Sequence, residues 1–141
     1  MKAKIGINGL GRIGRMVLRS IFEENHKNLK INHINNRADI KIACELIKRD
    51  SVHGKFKGKV YIENNKLIVN GNKISYSQET NIRDISWKKH KVDIVLECTG
   101  KFNSRDKLIQ HIKNGAKKVI VSAPCKSADK TVVYGVNHKN I

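Results

Sequence analysis

The sequence predicts an α/β fold, in which helices lie on both faces of a mostly parallel sheet and a small antiparallel meander is inserted. Strand-like and helix-like patterns alternate along the 141 residues, as they do in chains built from βαβ units. Two strand patterns are nearly continuous apolar runs, which are typical of parallel strands buried on both faces. The chain has one proline and no Gly/Ser-rich linker, so we predict one domain over residues 1–141.

The first half of the chain contains two strand–helix pairs. Residues 4–8 and 30–35 are short strand patterns. The helix predicted over 12–24 has an inward face formed by Ile13, Met16, Val17, Ser20 and Ile21. The helix predicted over 39–49 starts at Asp39, a favoured N-cap residue, and its inward face consists of Ile40, Ala43, Cys44 and Ile47.

The meander and the remaining elements follow. Strand patterns at 59–62, 66–69 and 73–77 are separated by the turn-forming segments 63–65 and 70–72, both rich in Asn. A buried strand over 92–98 leads to a helix from Ser104 to about Lys113, whose inward face consists of Leu108, Ile109 and Ile112. A buried strand over 118–121 and a short strand over 131–134 complete the predicted sheet.

The most informative local motif is Gly9-Leu10-Gly11-Arg12-Ile13-Gly14, a G-x-G-x-x-G sequence between the first strand and the first helix. In that position the motif predicts a Rossmann-type dinucleotide site. Gly9 permits the tight turn, Gly11 lets a pyrophosphate approach the backbone, and Gly14 lets helix and strand pack closely. The helix N-terminus adds free N–H groups and partial positive charge. An ordinary βα turn with packing glycines is the alternative interpretation.

The position that usually binds the ribose hydroxyls is unusual here. Dinucleotide sites place an acidic residue at the end of the second strand, but this sequence has Asn35-Asn36 followed by Arg37. The Asn36 amide can hydrogen-bond a ribose hydroxyl, yet it lacks the negative charge that rejects a 2′-phosphate. We therefore predict NAD as the cofactor and NADP as an acceptable substitute, with discrimination below about 1000-fold. A plain turn at Asn35-Asn36 is the alternative.

The strong positive charge raises the question of a polyanionic partner. Lys and Arg number 29 and Asp and Glu 12, giving a net charge of +17, which attracts nucleic acid non-specifically. However, the lysines are scattered and aromatic residues make up only 5% of the chain, too few for a base-stacking surface. Enrichment in Lys, Ile and Asn together is also the bias of an AT-rich genome. We therefore do not expect nucleic acid to be the main partner.

Cysteine usage and hydropathy indicate the compartment. The three cysteines are far apart and form no CxxC pair, which argues against a disulfide framework and against a metal site. No apolar stretch approaches the ~20 residues that cross a bilayer, and the N-terminus lacks a signal-peptide layout. We expect a cytoplasmic protein with no membrane partner.

Four segments, in the same order along the chain, resemble the glyceraldehyde-3-phosphate dehydrogenase family. They are Gly6–Arg15, Asp50–Phe56, Glu97–Phe102 and Gly115–Pro124. The resemblance implies an enzyme of glycolysis and gluconeogenesis that transfers a hydride from a thiohemiacetal to NAD and then passes the acyl group to phosphate. It also implies cofactor-binding positions. Asn8, Gly9, Gly11, Arg12 and Ile13 would surround the pyrophosphate and adenosine side, Asn36 the ribose, Thr99 and Gly100 the nicotinamide half, and Ser122 would contact the cofactor from the next strand.

The resemblance assigns no catalytic residue to this chain. The family's Ser-Cys-Thr-Thr-Asn-like motif and catalytic histidine lie downstream of the matching segments, and Cys125 does not match that cysteine. We therefore expect an incomplete NAD(P)-binding domain without its catalytic domain, inactive alone and part of a homotetramer in the complete enzyme. The alternatives are part of an erythrose-4-phosphate dehydrogenase and a basic Rossmann module that binds RNA. Helix capping by Thr99 and strand termination by Ser122 are alternatives to their cofactor contacts.

Overall fold

The computed structural model describes residues 2–140. In chain order its elements are β1 (Ala3–Asn8), α1 (Arg12–Glu23), β2 (Leu29–Asn35), α2 (Ile40–Lys48), β3 (Arg49–Asp50), β4 (Gly54–Lys55), β5 (Val60–Glu63), β6 (Lys66–Val69), β7 (Asn72–Ser77), β8 (Ile94–Glu97), α3 (Arg105–Lys113) and β9 (Lys118–Val121). Short 3-10 turns lie at Ile82–Asp84 and His138–Asn140.

The main sheet has seven strands in the order β5-β6-β7-β2-β1-β8-β9, and β3 and β4 form a small sheet of their own. The strands from β7 to β9 in that order are mutually parallel. Crossovers between parallel strands are right-handed. The two crossovers that lead from β1 through β2 to β7 therefore put α1 and α2 on one face, and the crossover from β8 to β9 puts α3 on the other. The predicted α/β fold with helices on both faces is confirmed.

The meander is continuous with the main sheet. Its strands β5, β6 and β7 pair antiparallel, while β7 also pairs parallel with β2. Each turn has two successive residues with positive φ, 50° and 59° at Asn64 and Asn65, and 48° and 81° at Asn70 and Gly71. These are the conformations of type I′ hairpin turns, which Asn and Gly adopt most readily, so both predicted hairpins are confirmed.

An apolar core lies on each face of the sheet. The larger one joins Ile5 and Ile7 of β1 to buried residues of α1 and α2, and the smaller one, on the α3 face, is centred on Trp87 and Val95. Side chains alternate between faces along a strand, so Gly6 faces the smaller core. A Cβ at Gly6 would lie 2.6 Å from Cζ3 of Trp87, so the glycine makes room for the single tryptophan of the chain.

Helix α1 buries only part of the predicted face: Ile21 is buried and Val17 packs against the larger core, as predicted. Its buried residues are Gly14, Leu18, Arg19 and Ile21, whereas Ile13 is 53% exposed. The helix approaches the glycine turn so closely that a Cβ at Gly14 would overlap the carbonyl oxygen of Gly9. That approach fixes the rotation of the helix and turns Ile13 outward.

Helix α2 agrees with the sequence-based prediction. The Asp39 carboxylate accepts a 2.8 Å hydrogen bond from the backbone N–H of Lys41 and thus caps the helix. Ala43, Cys44 and Ile47 are buried, as predicted.

The last third of the chain corrects three predictions. In α3 Leu108 is buried as predicted, but the other buried residue is His111, and Ile112 is 37% exposed. Strand β9 lies at an edge of the sheet with Ile120 56% exposed, because it has β8 as a neighbour on one side alone within residues 2–140. Residues 131–134 form no strand in this described part of the chain. They lead into a turn in which the Val136 N–H donates to the Val133 carbonyl.

His33 of β2 stacks on His90, which lies in the segment that precedes β8. The rings of His33 and His90 are 3.7 Å apart and nearly parallel. Both bond Ser75 Oγ through Nδ1, at 2.6 Å for His33 and 3.1 Å for His90, and His33 Nε2 bonds Ser77 Oγ at 2.8 Å. His33 is 1% exposed. Burial, followed by the charges of His90 and Lys89, lowers the pKa of His33 from its usual 6.5 to about 3.

Candidate functional site

A cleft of about 200 Å³ lies where the carboxyl ends of β1, β2 and β8 meet. The chain leaves β1 first toward β2 and later returns to its other side through β8. Open α/β sheets bind ligands at such a switch in strand order. The residues that line the cleft are Asn8, Gly9, Gly11, Asn35, Asn36, Arg37, Glu79, Thr80, Ile82, Ile85, Cys98, Thr99, Lys101 and Phe102.

The three glycines of the motif occupy three different environments. Gly9 has φ of 96°, and a Cβ there would lie 2.9 Å from the backbone nitrogen of Thr99. At Gly14 a Cβ would overlap the Gly9 carbonyl oxygen, whereas at Gly11 a Cβ would meet no atom of the described residues within 4 Å. The roles predicted for Gly9 in the turn and Gly14 in packing are confirmed. Gly11 borders open space inside the cleft, which is the arrangement that a closely approaching phosphate requires.

The start of α1 presents backbone donors to the same space. Gly11 is the N-cap and offers no side-chain hydrogen bond, and the first turn of the helix has no acidic residue. The first N–H groups of a helix have no partner inside the helix, and the helix dipole makes them attractive to anions. Helix α1 therefore supplies free donors beside the open space at Gly11, whereas in α2 the Asp39 carboxylate accepts the N–H of Lys41.

Asn36 holds the glycine loop to the end of β2. Its Oδ1 accepts a 2.9 Å hydrogen bond from the N–H of Leu10, and its Nδ2 donates to the hydroxyl of Tyr76 at 3.2 Å. That hydroxyl in turn donates to the carbonyl of Ala38 at 2.6 Å. A side-chain amide has two N–H donors and two acceptor positions on its oxygen, so Asn36 retains hydrogen-bonding capacity toward the cleft that it lines.

The structure gathers some of the predicted cofactor residues and leaves others outside. Those that line the cleft are Asn8, Gly9, Gly11, Asn36 and Thr99. Arg12 and Ile13 lie in the first turn of α1, beside Gly11, and both are exposed. Gly100 and Ser122 are outside the cleft lining. Ser122 lies just after β9, where its N–H and hydroxyl both donate to the Glu97 carbonyl at 3.0 and 3.2 Å.

Several residues that line the cleft were not predicted as site residues from the sequence. Glu79 follows β7, while Lys101 and Phe102 follow β8, and no motif marks them as ligands. Their common signal is position, since each comes shortly after the carboxyl end of a parallel strand. The cleft therefore has cationic and anionic groups on its rim, Arg37 and Lys101 against Glu79.

None of the three cysteines has the surroundings of an activated nucleophile within residues 2–140. Burial raises the pKa of the Cys98 thiol, which lines the cleft, and of Cys44 in the larger core. Cys125 contacts Ser127 Oγ at 3.8 Å. A reactive cysteine needs a lowered pKa or an adjacent base, and no hydrogen bond joins any of these thiols to a histidine in the described residues.

Comparison with known proteins identifies the family. The family described as "Glyceraldehyde 3-phosphate dehydrogenase, NAD binding domain" matches residues 3–105. This chain belongs to the glyceraldehyde-3-phosphate dehydrogenase family. The match covers β1 through the start of α3, so the glycine loop and the cleft lie inside the family's NAD-binding domain, and NAD is the cofactor of this domain.

Full-length relatives extend the similarity to nearly the whole chain. Glyceraldehyde-3-phosphate dehydrogenase of Pseudomonas aeruginosa is 46% identical over 140 residues, which are 99% of this chain and 42% of that protein. The enzyme of Bacteroides fragilis is 45% identical over 135 residues, 96% of this chain and 40% of that protein. The enzyme of Thermotoga maritima is 45% identical over 139 residues, with 99% and 42% covered. The chain thus spans about 40% of the length of these curated relatives.

Membrane insertion by a helix has no support in the fold. Across residues 2–140, every helix is too short or too polar to serve as a bilayer-spanning segment.

Proposed function

We propose that this chain forms the cofactor-binding part of a phosphorylating glyceraldehyde-3-phosphate dehydrogenase. The complete enzyme would transfer a hydride from an aldehyde-derived thiohemiacetal to NAD and then pass the acyl group to phosphate. The observation that carries the proposal is the open space at Gly11 beside the uncapped start of α1. The names of the relatives favour glyceraldehyde-3-phosphate over erythrose-4-phosphate as the substrate of the complete enzyme.

The residues around the cleft would divide the cofactor between them. The backbone from Gly9 to Ile13 and the N–H groups of α1 would hold the pyrophosphate, with Arg12 adding positive charge. Asn8 would support this loop from β1, and Asn36 would bond the adenosine ribose. Thr99 and Gly100, after β8, would border the nicotinamide, which accepts the hydride when bound. For Ser122, outside the cleft lining, a cofactor contact would require the segment after β9 to approach the cleft.

Asn36 and Arg37 favour tolerance of NADP. No carboxylate stands at position 36 to repel a 2′-phosphate, and the exposed Arg37 next to it lines the cleft. Glu79 supplies a negative charge on the same rim, so a preference for NAD should remain. We propose that the preference is modest, below about 1000-fold.

The chemistry of aldehyde oxidation would come from residues outside this chain. A thiohemiacetal needs a thiolate beside a base, and burial raises the pKa of both Cys44 and Cys98. We therefore propose that residues 1–141 alone are inactive toward glyceraldehyde 3-phosphate, and that the complete enzyme is a cytoplasmic homotetramer. Turnover of that aldehyde with NAD by the purified polypeptide would contradict the first statement, and the mass of the full-length enzyme in solution tests the tetramer.

The substitution Gly11→Ala, which adds one methyl group to the glycine loop, tests the cofactor site. In Gly11→Ala the new Cβ meets no protein atom within 4 Å and φ is −68°, which alanine adopts freely, so the fold should be unchanged. The methyl group would instead fill the space of the phosphate. Loss of charge-assisted hydrogen bonds worth about 1.5–3 kcal/mol predicts NAD binding weakened by about 10–100-fold in calorimetric titration.

The matched control is Gly71→Asn in the β6–β7 turn. Its Cβ also meets nothing within 4 Å, and φ is 81°, which asparagine tolerates better than other residues. This variant should bind NAD as the unaltered chain does. Equal NAD affinity of Gly11→Ala and the unaltered chain, with both folded, would overturn the proposed site.

A further inference from the structure

A row of polar side chains joins the carboxyl ends of four parallel strands beneath the cleft. Ser77 of β7 donates to Asn35 Oδ1 at 2.7 Å, and Asn35 of β2 donates to Asn8 Oδ1 at 2.9 Å. Asn8 of β1 then donates to Glu97 Oε2 at 2.7 Å. Asn8, Asn35 and Glu97 are 1–3% exposed, so the row is a buried connection between the strands and ends at a carboxylate.

Glu97 is surrounded by donors. Oε2 accepts from Asn8 and from His111 Nε2, each at 2.7 Å. Oε1 accepts from the Thr99 hydroxyl at 2.6 Å and the Thr99 N–H at 3.1 Å. Each carboxyl oxygen thus accepts two hydrogen bonds, and these four bonds offset the cost of burying the side chain.

Trp87 determines which ring nitrogen of His111 can donate to Glu97. The indole N–H can only donate, and it donates to His111 Nδ1 at 2.9 Å. Nδ1 is therefore the acceptor of the pair, which leaves Nε2 to donate to Glu97 Oε2. Trp87 and His111 are both fully buried. The hydrogen bonds that join Trp87, His111 and Glu97 therefore lie in the interior, on the face of the sheet that carries the smaller core.

This chain of hydrogen bonds ends at Thr99, in the turn that follows β8. Thr99 gives both its N–H and its hydroxyl proton to Glu97, and its hydroxyl oxygen accepts the N–H of Lys101 at 3.1 Å. The Thr99 hydroxyl is thus held by Glu97 and by the Lys101 N–H. Gly100, with φ of 73°, completes the turn. Thr99 also packs against Gly9, where a Cβ would lie 2.9 Å from Thr99 Cγ2.

We propose that Glu97 is a positioning residue for the nicotinamide side of the cleft, because its carboxyl group fixes Thr99 and is itself held by His111, which bonds to Trp87. The inference rests on the proposed orientation of the cofactor. The adenosine side depends instead on Asn36 and its bonds to Leu10 and Tyr76, which do not involve Glu97. Loss of an acceptor oxygen at Glu97 should therefore weaken binding of the nicotinamide half of the cofactor more than binding of the adenosine half.

Glu97→Gln is the test, since it keeps the shape and replaces one oxygen by an N–H₂ group. Facing Thr99, that group would meet the Thr99 backbone N–H, which can only donate, and facing Asn8 and His111 it would meet two donors. Asn8 cannot reverse its amide without losing Asn35, and His111 cannot move its proton to Nδ1 because Trp87 donates there. We expect NAD to bind about tenfold or more weakly, while AMP, which carries the adenosine half alone, changes by less than about threefold.

Val95→Ala is the matched control. Val95 is fully buried in the smaller core and lies on β8 like Glu97, and its truncation destabilises through a cavity without touching the polar row. Measured well below the melting temperature, this variant should keep the ratio of NAD to AMP affinity. An unchanged ratio in Glu97→Gln, or the same change in Val95→Ala, would overturn the proposal. Failure of the unaltered chain to bind NAD would instead refute the proposed site.

The unaltered chain provides a second measurement if Glu97→Gln does not fold. Trp87 is the single tryptophan, so its indole N–H gives one assignable signal in a ¹⁵N-correlated NMR spectrum. Because the indole bonds to His111 and, through it, to Glu97 and Thr99, NAD should shift this signal more than AMP does at saturation. Equal shifts with the two ligands, or none with NAD, would overturn the proposal without any variant.

Discussion

Buried His33 should make this chain lose stability as the pH falls below neutrality. Its pKa is lowered from 6.5 to about 3, chiefly by burial, whereas the unfolded chain leaves the ring in water with its ordinary pKa. Between these two values the unfolded state binds a proton that the folded state does not. By linkage, stability is complete above about pH 6.5 and declines toward pH 3, at about 1.4 kcal/mol per pH unit in the middle of that window.

The expected loss between pH 6.5 and pH 5 is about 1.5–2 kcal/mol from His33 alone. Burial also lowers the pKa of His90, which is stacked on His33, so it acts in the same direction. A change of this size is a substantial part of the 5–15 kcal/mol typical of a folded domain. Urea unfolding, followed by the fluorescence of the single tryptophan at half-unit steps from pH 8 to pH 5, measures it directly.

Two variants with the same substitution separate His33 from the other histidines. His33→Asn should cost about 1–3 kcal/mol at pH 8 through lost hydrogen bonds, but its stability should fall less steeply below pH 6.5. His26→Asn removes an exposed histidine paired with Glu24 and should keep the full slope. The reasoning is refuted if the His33 variant retains the slope of the unaltered chain.

Three further predictions concern the loop, the ribose position and a helix cap. Gly14→Ala should lower the urea midpoint strongly and by far more than Gly11→Ala, because its Cβ would overlap the Gly9 carbonyl oxygen; similar midpoints for the two variants would contradict this. Asn36→Asp can keep the bond from Leu10 while adding a negative charge, so the ratio of NAD to NADP affinity should rise about tenfold in titrations, and an unchanged ratio would place the 2′-phosphate elsewhere. Asp39→Ala removes the cap of α2 and should cost about 1 kcal/mol in urea unfolding; no loss would mean that the cap is unimportant here.

Local sequence signals predicted the local structure well. The Asn-rich turns 63–65 and 70–72 need residues that accept positive φ, and the structure has positive φ there. The glycine motif likewise predicted the turn at Gly9 and the close contact at Gly14. In each case the backbone conformation depends on a few adjacent residues, so the information lies in a short segment.

Apolar spacing predicted the rotation of α1 and α3 only in part, since Ile21 and Leu108 are buried as predicted. In α1 the closest approach is made by a glycine, which carries no apolar side chain to count, and Ile13 faces outward. In α3 a histidine takes the innermost position because it accepts the Trp87 N–H. Both choices depend on partners distant in sequence, the turn at Gly9 in one case and a residue 24 positions away in the other.

The candidate site was predicted in part for a similar reason. Gly9, Gly11 and Asn36 belong to recognisable motifs, and they line the cleft. Glu97 was not predicted as a site residue and appeared only within the segment Glu97–Phe102 that resembles the family. It is nevertheless the last residue of β8, as Asn8 is of β1 and Asn35 is of β2. The sequence shows a polar residue at the end of each of these strands. Which of these residues bond to one another depends on the order of the strands in the sheet, which the sequence does not show.

The double pairing of β7 has a consequence for how the sheet assembles. Strands β5, β6 and β7 are joined by tight turns, so they can come together within microseconds from neighbouring residues. The seam between β7 and β2 has to wait until the intervening α2 crossover closes a much longer loop. We therefore expect the sheet to grow inward from its antiparallel border, and the cofactor cleft to be among the last parts of the molecule to take shape.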